Sequence, residues 1–269
     1  MRFIVTMKLG QKQTGSVIFF LGAFLFTSCV SRPIIEYSGP ITPEGVKPVL
    51  EALDRDDHYS LRIRSLGGDG DAGVALAEKI QERKIPVIIY DYCGSACALI
   101  FIASPRKSVE PNTALLFHWS LTSHADFLTK RLGVDNGEVV KVRELARREQ
   151  QIFETAGISK DLLRDSINLV EPTCVSAEIQ KGKLNYVGRS KLGFVVFSGE
   201  ALSQYGFEDR INANLIDTVS ELEMIAPKHP EWGPVGFVPS REVAKRAKMP
   251  NSIEECPFNN KAALQTMEK

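Results

Sequence analysis

An excess of one charge is missing from this chain: 33 Lys and Arg balance 33 Asp and Glu over 269 residues. Neutralising a polyanion takes a concentrated basic face, so the balance excludes the ordinary nucleic-acid binder. Histidine is scarce, with four in all. His118 and His124 are six apart with Asp126 nearby, a spacing that matches no compact metal site and that a solvated loop explains better. Phosphate-binding loops are missing too. Gly67-Gly68-x-Gly70 has neither the lysine of a P-loop nor the spacing of a dinucleotide fingerprint. No metal, no cofactor and no nucleic acid is therefore expected. Long apolar runs are lacking as well. Val17 to Phe26 gives ten residues, against the roughly 20 that a membrane-spanning helix requires.

Basic residues precede that run and Phe26-Thr27-Ser28-Cys29 follows it. A basic start, a short apolar core and small residues are the plan of an export leader, placed here at 1–29. The last four residues resemble a bacterial lipobox, in which Cys29 becomes the diacylated N-terminus. Phe26 stands where an aliphatic residue is usual. The alternatives are an ordinary signal peptide cut nearby, or an uncleaved anchor. Acyl chains on Cys29 would tether the protein without threading it through a bilayer. If Cys29 is lipidated, Val30 in place of aspartate suggests the outer membrane. The expectation is an exported, periplasmic, membrane-anchored lipoprotein. Loss of 28 leader residues removes Arg2, Lys8 and Lys12, leaving 30 basic against 33 acidic residues.

Export changes how the other cysteines are read. Cys93, Cys97, Cys174 and Cys256 are an even number, compatible with two disulfides in an oxidising compartment. Cys174 with Cys256 is the expected pair, because it ties down a weakly patterned tail. Cys93 and Cys97 are expected to be small apolar fillers, since a bridge there would strain the turn between them.

The patterning is clearest from 61 to 118. Leu61-Arg62-Ile63-Arg64-Ser65 alternates as a half-exposed strand does and runs into Gly67-Gly68. Val74, Ala77 and Ile80 mark one helical face. Pro86 opens a second strand, whose continuous Val87-Ile88-Ile89 predicts a sheet covered on both faces. Cys93-Gly94-Ser95-Ala96-Cys97 leads into a wholly apolar helix from Ala96 to Ala103, and a third strand, Thr113 to Phe117, ends on His118. Strand and helix alternate, which argues α/β with right-handed crossovers. Before this stretch lie an edge strand near Ile34 to Tyr37 and a helix opened by Thr42-Pro43.

Beyond His118, Ser120 to Gly137 reads as a polar, mobile loop. Glu138 to Ala156 reads as a long helix and Ser159 to Leu169 as a shorter one. Residues 172 to 194 show no assignable pattern, Val195-Val196-Phe197 is a short strand, and the tail from about Pro227 is expected to be irregular.

Two glycine-containing turns and a histidine, each at a strand end, are what an acyl-transfer site needs. A serine on a tight turn at a helix start is exposed and aimed along the helix dipole. Ser95 is thus the candidate nucleophile, although serine also serves simply as an N-cap. His118 is the candidate base, and a histidine between Phe117 and Trp119 is equally read as structural. Gly67 and Gly68, with the backbone N–H of Ala96, are candidates for an oxyanion hole.

Ser65-x-Gly67-Gly68 with Gly73, then Gly94-Ser95-Ala96, then the strand ending in His118, resembles the Clp protease proteolytic subunit of the Clp/crotonase superfamily. It looks closest to exported, periplasmic Clp-protease-like proteins, over about residues 37 to 212. The resemblance implies an α/β fold of repeated ββα units in a superhelix, with a mostly parallel sheet and an inserted or extended helical handle that pairs subunits. With the leader at 1–29, it implies a Clp/crotonase-like domain 30–212, followed by a weakly patterned tail 213–269. It also implies a serine peptidase or related hydrolase, with a peptide or unfolded protein as substrate and a homo-oligomeric state. No ATPase partner is expected outside the cytoplasm.

The third member of the site is where the resemblance fails. The matching position falls near Phe194, where no acid is found. Asp165 and Glu171 are weak candidates by another route, and Lys130 is conceivable in the serine–lysine arrangement of related signal peptide peptidases. The competing reading is an inactive envelope protein that keeps the fold for oligomerisation or peptide binding.

Overall fold

The computed structural model of the chain describes residues 32–56, 58–180, 183–208, 211, 214–247 and 254–256. The leader, Cys29 and the chain end after Cys256 lie outside the described residues. A mostly parallel sheet carries the fold, in the order β1-β2-β3-β5-β8-β9, with β4 also pairing β3. These strands are β1 (Ile34–Ser38), β2 (Ser60–Ser65), β3 (Val87–Gly94), β4 (Lys107–Val109), β5 (Ala114–Phe117), β8 (Phe194–Phe197) and β9 (Val235–Val238). Among the described residues, only the β5–β8 pairing in this sheet is antiparallel. The architecture is α/β with a mostly parallel sheet.

Helices cover one face. In α1 (Pro43–Arg55), the Thr42 side chain accepts from Gly45 N and proline opens the helix; Val46, Val49 and Leu53 are buried. In α2 (Gly70–Glu82), Asp69 caps Ala72 N, and Val74, Ala77 and Ile80 point inward. Helix α3 (Ala96–Ala103) is buried from Cys97 to Ala103, as an all-apolar sequence demands. It packs against α2 and against α5 (Gly137–Thr155).

Two-sided cover holds for only part of the sheet. Ile88 and Tyr90 are half-buried between buried Val87 and Ile89, so β3 alternates there. On that outer face the Arg62 guanidinium lies 3.7 Å from the Tyr90 ring centre and pairs with Glu36 and Glu110. At β5 and β8 both faces are buried. Ala114, Leu116, Phe194 and Val196 pack there against Ile216, Leu222 and Trp232. Trp232 comes from the segment after Pro227 that is read as irregular. That expectation is corrected: β9 runs parallel to β8, and Trp232 is 1% exposed. A long-range pairing of this kind leaves no local signature.

One further reading is corrected, and one unassigned stretch acquires structure. Residues 121–132 form α4 (Leu121–Leu132), not a loop. Ser120 caps it by accepting from Ser123 N, and Ala125 and Leu128 are buried. The unassigned stretch contains β6 (Pro172–Gln180) and β7 (Lys183–Ser190), an antiparallel hairpin that follows α6 (Asp161–Leu169). The short strand β10 (Glu254–Glu255) pairs with β6, and a Cys174–Cys256 disulfide holds it there.

Candidate active site

Parallel strands β2, β3 and β5 end at one sheet edge, the side where α/β proteins place their ligands. Each is followed by one part of the candidate site. Register fixes their proximity: Cys93 pairs with both Ser65 and Leu115, and Gly94 pairs with Leu116. The Ser95 N–H donates to Leu116 O at 3.1 Å. The serine turn is thereby tied to the strand that presents His118.

Ser95 has φ 54° and ψ −122°, a positive φ that costs a residue other than glycine about 1–3 kcal/mol. The turn throws the side chain out of the line of β3 as α3 begins. Its hydroxyl makes no capping bond to the helix, so the N-cap role does not account for it. The reading of Cys93 and Cys97 as fillers is corrected, because they form a disulfide across this turn, with Cα atoms 5.2 Å apart. One cysteine is the penultimate residue of β3 and the other lies in the first turn of α3. The bridge clamps the serine turn at both ends.

The two glycines have different jobs. Gly68 has φ 149°, and a Cβ there would sit 2.2 Å from Ile41 O. Its neighbours Gly67 O and Asp69 N carry the hydrogen bonds to Ile41, so the Gly68 N–H is not used in that bridge. The Gly67 N–H donates to Ser65 Oγ at 3.0 Å, which removes it from the oxyanion candidates. Gly67 is needed for space instead: with φ 99°, a Cβ there would lie 2.5 Å from the Ser95 Cβ. The N–H groups of Gly68 and Ala96 are left as the oxyanion candidates, and Ala96, at the first helical position, has no partner within the helix.

Ser95, Gly68, Ala96 and His118 line one cavity of about 510 Å³. The His118 Nε2 is buried with no partner among the described residues. Burial pushes its imidazole down to about 4, so the ring is neutral at pH 7, as a base must be. Ser95 and His118 share no hydrogen bond through Nε2. Such bonds commonly form only once substrate is bound.

The structure does not bring the acid candidates to His118. Asp165 is a buried residue of α6, accepting from the Tyr205 hydroxyl at 2.7 Å and from Arg164. Glu171 pairs with Lys191 at 2.5 Å beside a separate cavity lined by Asn168 and Thr173. Lys130 is exposed and is not part of the cavity lining. The position expected for the acid holds Phe194, whose ring centre lies 4.9 Å from that of His118.

Two cavity residues escaped the sequence reading. His124 stands on α4 and is half-buried, with its Nε2 also buried and unpartnered among the described residues. The solvated-loop reading of His124 is corrected accordingly, while Asp126 is exposed. Glu149 on α5 is 5% exposed. It accepts from Leu121 N at 3.2 Å, Thr122 N at 2.9 Å and Thr122 Oγ1 at 2.7 Å. Burial raises its pKa against the lowering effect of those bonds. A signal for it existed: Glu149 interrupts the apolar stripe of Leu145, Ala146, Ile152 and Phe153. Among the described residues no group of three or more His, Cys, Asp or Glu could hold a metal ion.

No family model matches the sequence, and no curated protein matches it. Solved structures do match in fold. The ClpP protease catalytic domain from Plasmodium falciparum is similar at 16% identity and a TM-score of 0.39, covering 69% of this chain and 86% of that one. ClpP1 from Listeria monocytogenes is similar at 16% identity and a TM-score of 0.40, covering 70% of this chain and 94% of that one.

Proposed function

We propose that this protein is an exported serine hydrolase that cleaves peptide bonds. The observation that carries the reading is the Ser95 turn: a strained, uncapped serine that opens on the same cavity as a neutral, half-buried His118. Ser95 Oγ attacks the substrate carbonyl while His118 takes its proton. The carbonyl oxygen, now negative, is held by the N–H groups of Gly68 and Ala96. Collapse of the adduct breaks the C–N bond, and His118 returns the proton to the leaving amine. Water then repeats the sequence on the acyl-enzyme.

No acid orients His118 among the described residues. Packing against Phe194 restrains the ring, but it cannot stabilise the imidazolium electrostatically, so turnover is slow compared with a full triad. Two disulfides and the leader support export, the lipid anchor at Cys29 and a periplasmic setting. Subunits associate through the helical pair α5 and α6, which follows the histidine strand. Phe194 favours one competing reading, a binding protein that has lost catalysis.

An alkyl fluorophosphonate separates the two. Covalent labelling that maps to Ser95 and disappears in Ser95→Ala supports the hydrolase. Absence of labelling in the folded protein supports the binding module.

A further inference from the structure

The polar lining of the cavity contains more than the proposed reaction uses. Ser95 and His118 are assigned, and Glu149 is spent on the start of α4. His124 remains. Its backbone N–H donates to Ser120 O within the first turn of α4, which fixes the main chain. His124, by contrast, lines the cavity, and its imidazole Nε2 is buried without a partner among the described residues. An unsatisfied buried nitrogen costs about 1–3 kcal/mol, and such groups in a folded protein call for an explanation.

The surroundings narrow what can satisfy it. The wall near α4 is otherwise largely apolar, with Leu99 and Ile102 from α3, Phe127 from α4, Phe153 from α5 and Leu163 from α6, and the Ser120 hydroxyl is already bonded to Ser123. No anion is invited, because the titratable neighbours in the lining are another imidazole and a carboxyl group. A neutral imidazole offers one N–H and one lone pair, whichever tautomer is present. Main-chain amides offer the matching acceptor and donor. The start of α4 is also held rigid, since Glu149 accepts three bonds from Leu121 and Thr122, and Gln150 Nε2 donates to Thr122 Oγ1 at 3.2 Å.

We infer that His124 is a substrate-binding residue that hydrogen-bonds a main-chain amide of the peptide next to the scissile bond. It selects a peptide over a simple acyl ester without moving a proton in the reaction. The inference rests on the hydrolase reading and deepens it.

Two probes that react with the same serine test it. An alkyl fluorophosphonate carries no amide, whereas an N-acylated dipeptidyl phosphonate carries two or more. His124→Phe is expected to slow the peptidyl probe at least tenfold and the alkyl probe less than twofold. His124→Asn keeps a donor and an acceptor, and is expected to recover much of the peptidyl rate. Equal slowing of both probes overturns the assignment, since it marks a general structural effect; unfolding of His124→Phe leaves His124→Leu, which also lacks a donor and an acceptor, to make the same comparison. A peptidyl rate unchanged by every substitution also overturns it, as does a wild-type protein that reacts with the alkyl probe alone. Failure of both probes on the wild type removes the hydrolase reading itself.

Discussion

At the scale of single residues, Gly67 and His118 make the sharpest claims. Gly67 has a positive φ and would press a Cβ to within 2.5 Å of the Ser95 Cβ. Gly67→Ala therefore combines backbone strain with overpacking, at about 2–4 kcal/mol in total. Urea unfolding is expected to show that loss, and labelling at Ser95 to fall at least tenfold. His118 makes a claim about pH. Burial holds its pKa near 4, with His124 and Glu149 the titratable groups that share its cavity. It remains a neutral base at pH 5, so labelling there should stay within a few-fold of the pH 7 rate. An imidazole of ordinary pKa would lose roughly 30-fold. The stability consequence has a definite sign. The unfolded chain takes up this proton first, so His118 lowers stability as pH falls from about 6.5 towards 4, by on the order of 3 kcal/mol. His118→Phe should flatten that part of the pH–stability curve.

At the scale of elements, the decisive unit is the β3–turn–α3 clamp closed by Cys93 and Cys97. A bridge between residues four apart closes a short loop, so it constrains the unfolded chain little, by about 2 kcal/mol. Its larger effect falls on the turn. Cys93→Ala with Cys97→Ala is expected to cost about that much in urea unfolding, yet to slow Ser95 labelling tenfold or more. A loss of labelling no larger than in a surface control would contradict the clamp. The sequence exposes the elements whose pattern is local: the caps at Thr42, the apolar run of α3, and the strands that end at Ser65, Gly94 and Phe117. It hides the bridge, because the spacing of Cys93 and Cys97 gives no direction to their sulfurs. It hides α4 as well, since polar residues surround the buried Ala125 and Leu128. Glu149 was visible only as an oddity in an apolar stripe, and its partners on α4 were not.

At the scale of the whole molecule, the last third of the chain completes the structure. Trp232, Leu222 and Ile216 cover the second face of the sheet, β9 extends it, and Cys174–Cys256 spans 82 residues. The Cys174–Cys256 pair alone is expected from the sequence; the other contacts join distant parts of the chain and leave no local pattern. Cys174→Ala with Cys256→Ala is expected to cost about 2–4 kcal/mol through the long loop it releases, read as a lower urea midpoint. Labelling of Ser95 should be unchanged, since that bridge closes the hairpin sheet, away from the cavity lining. The account as a whole stands on one juxtaposition at the sheet edge. A crystal structure of the phosphonylated protein tests it most directly. The phosphorus should be bonded to Ser95, one phosphonyl oxygen should lie within hydrogen-bond reach of the Gly68 and Ala96 amides, and the His118 ring should be turned towards the adduct. A phosphonyl group bonded to another residue, or an oxygen that points away from those amides, would contradict it.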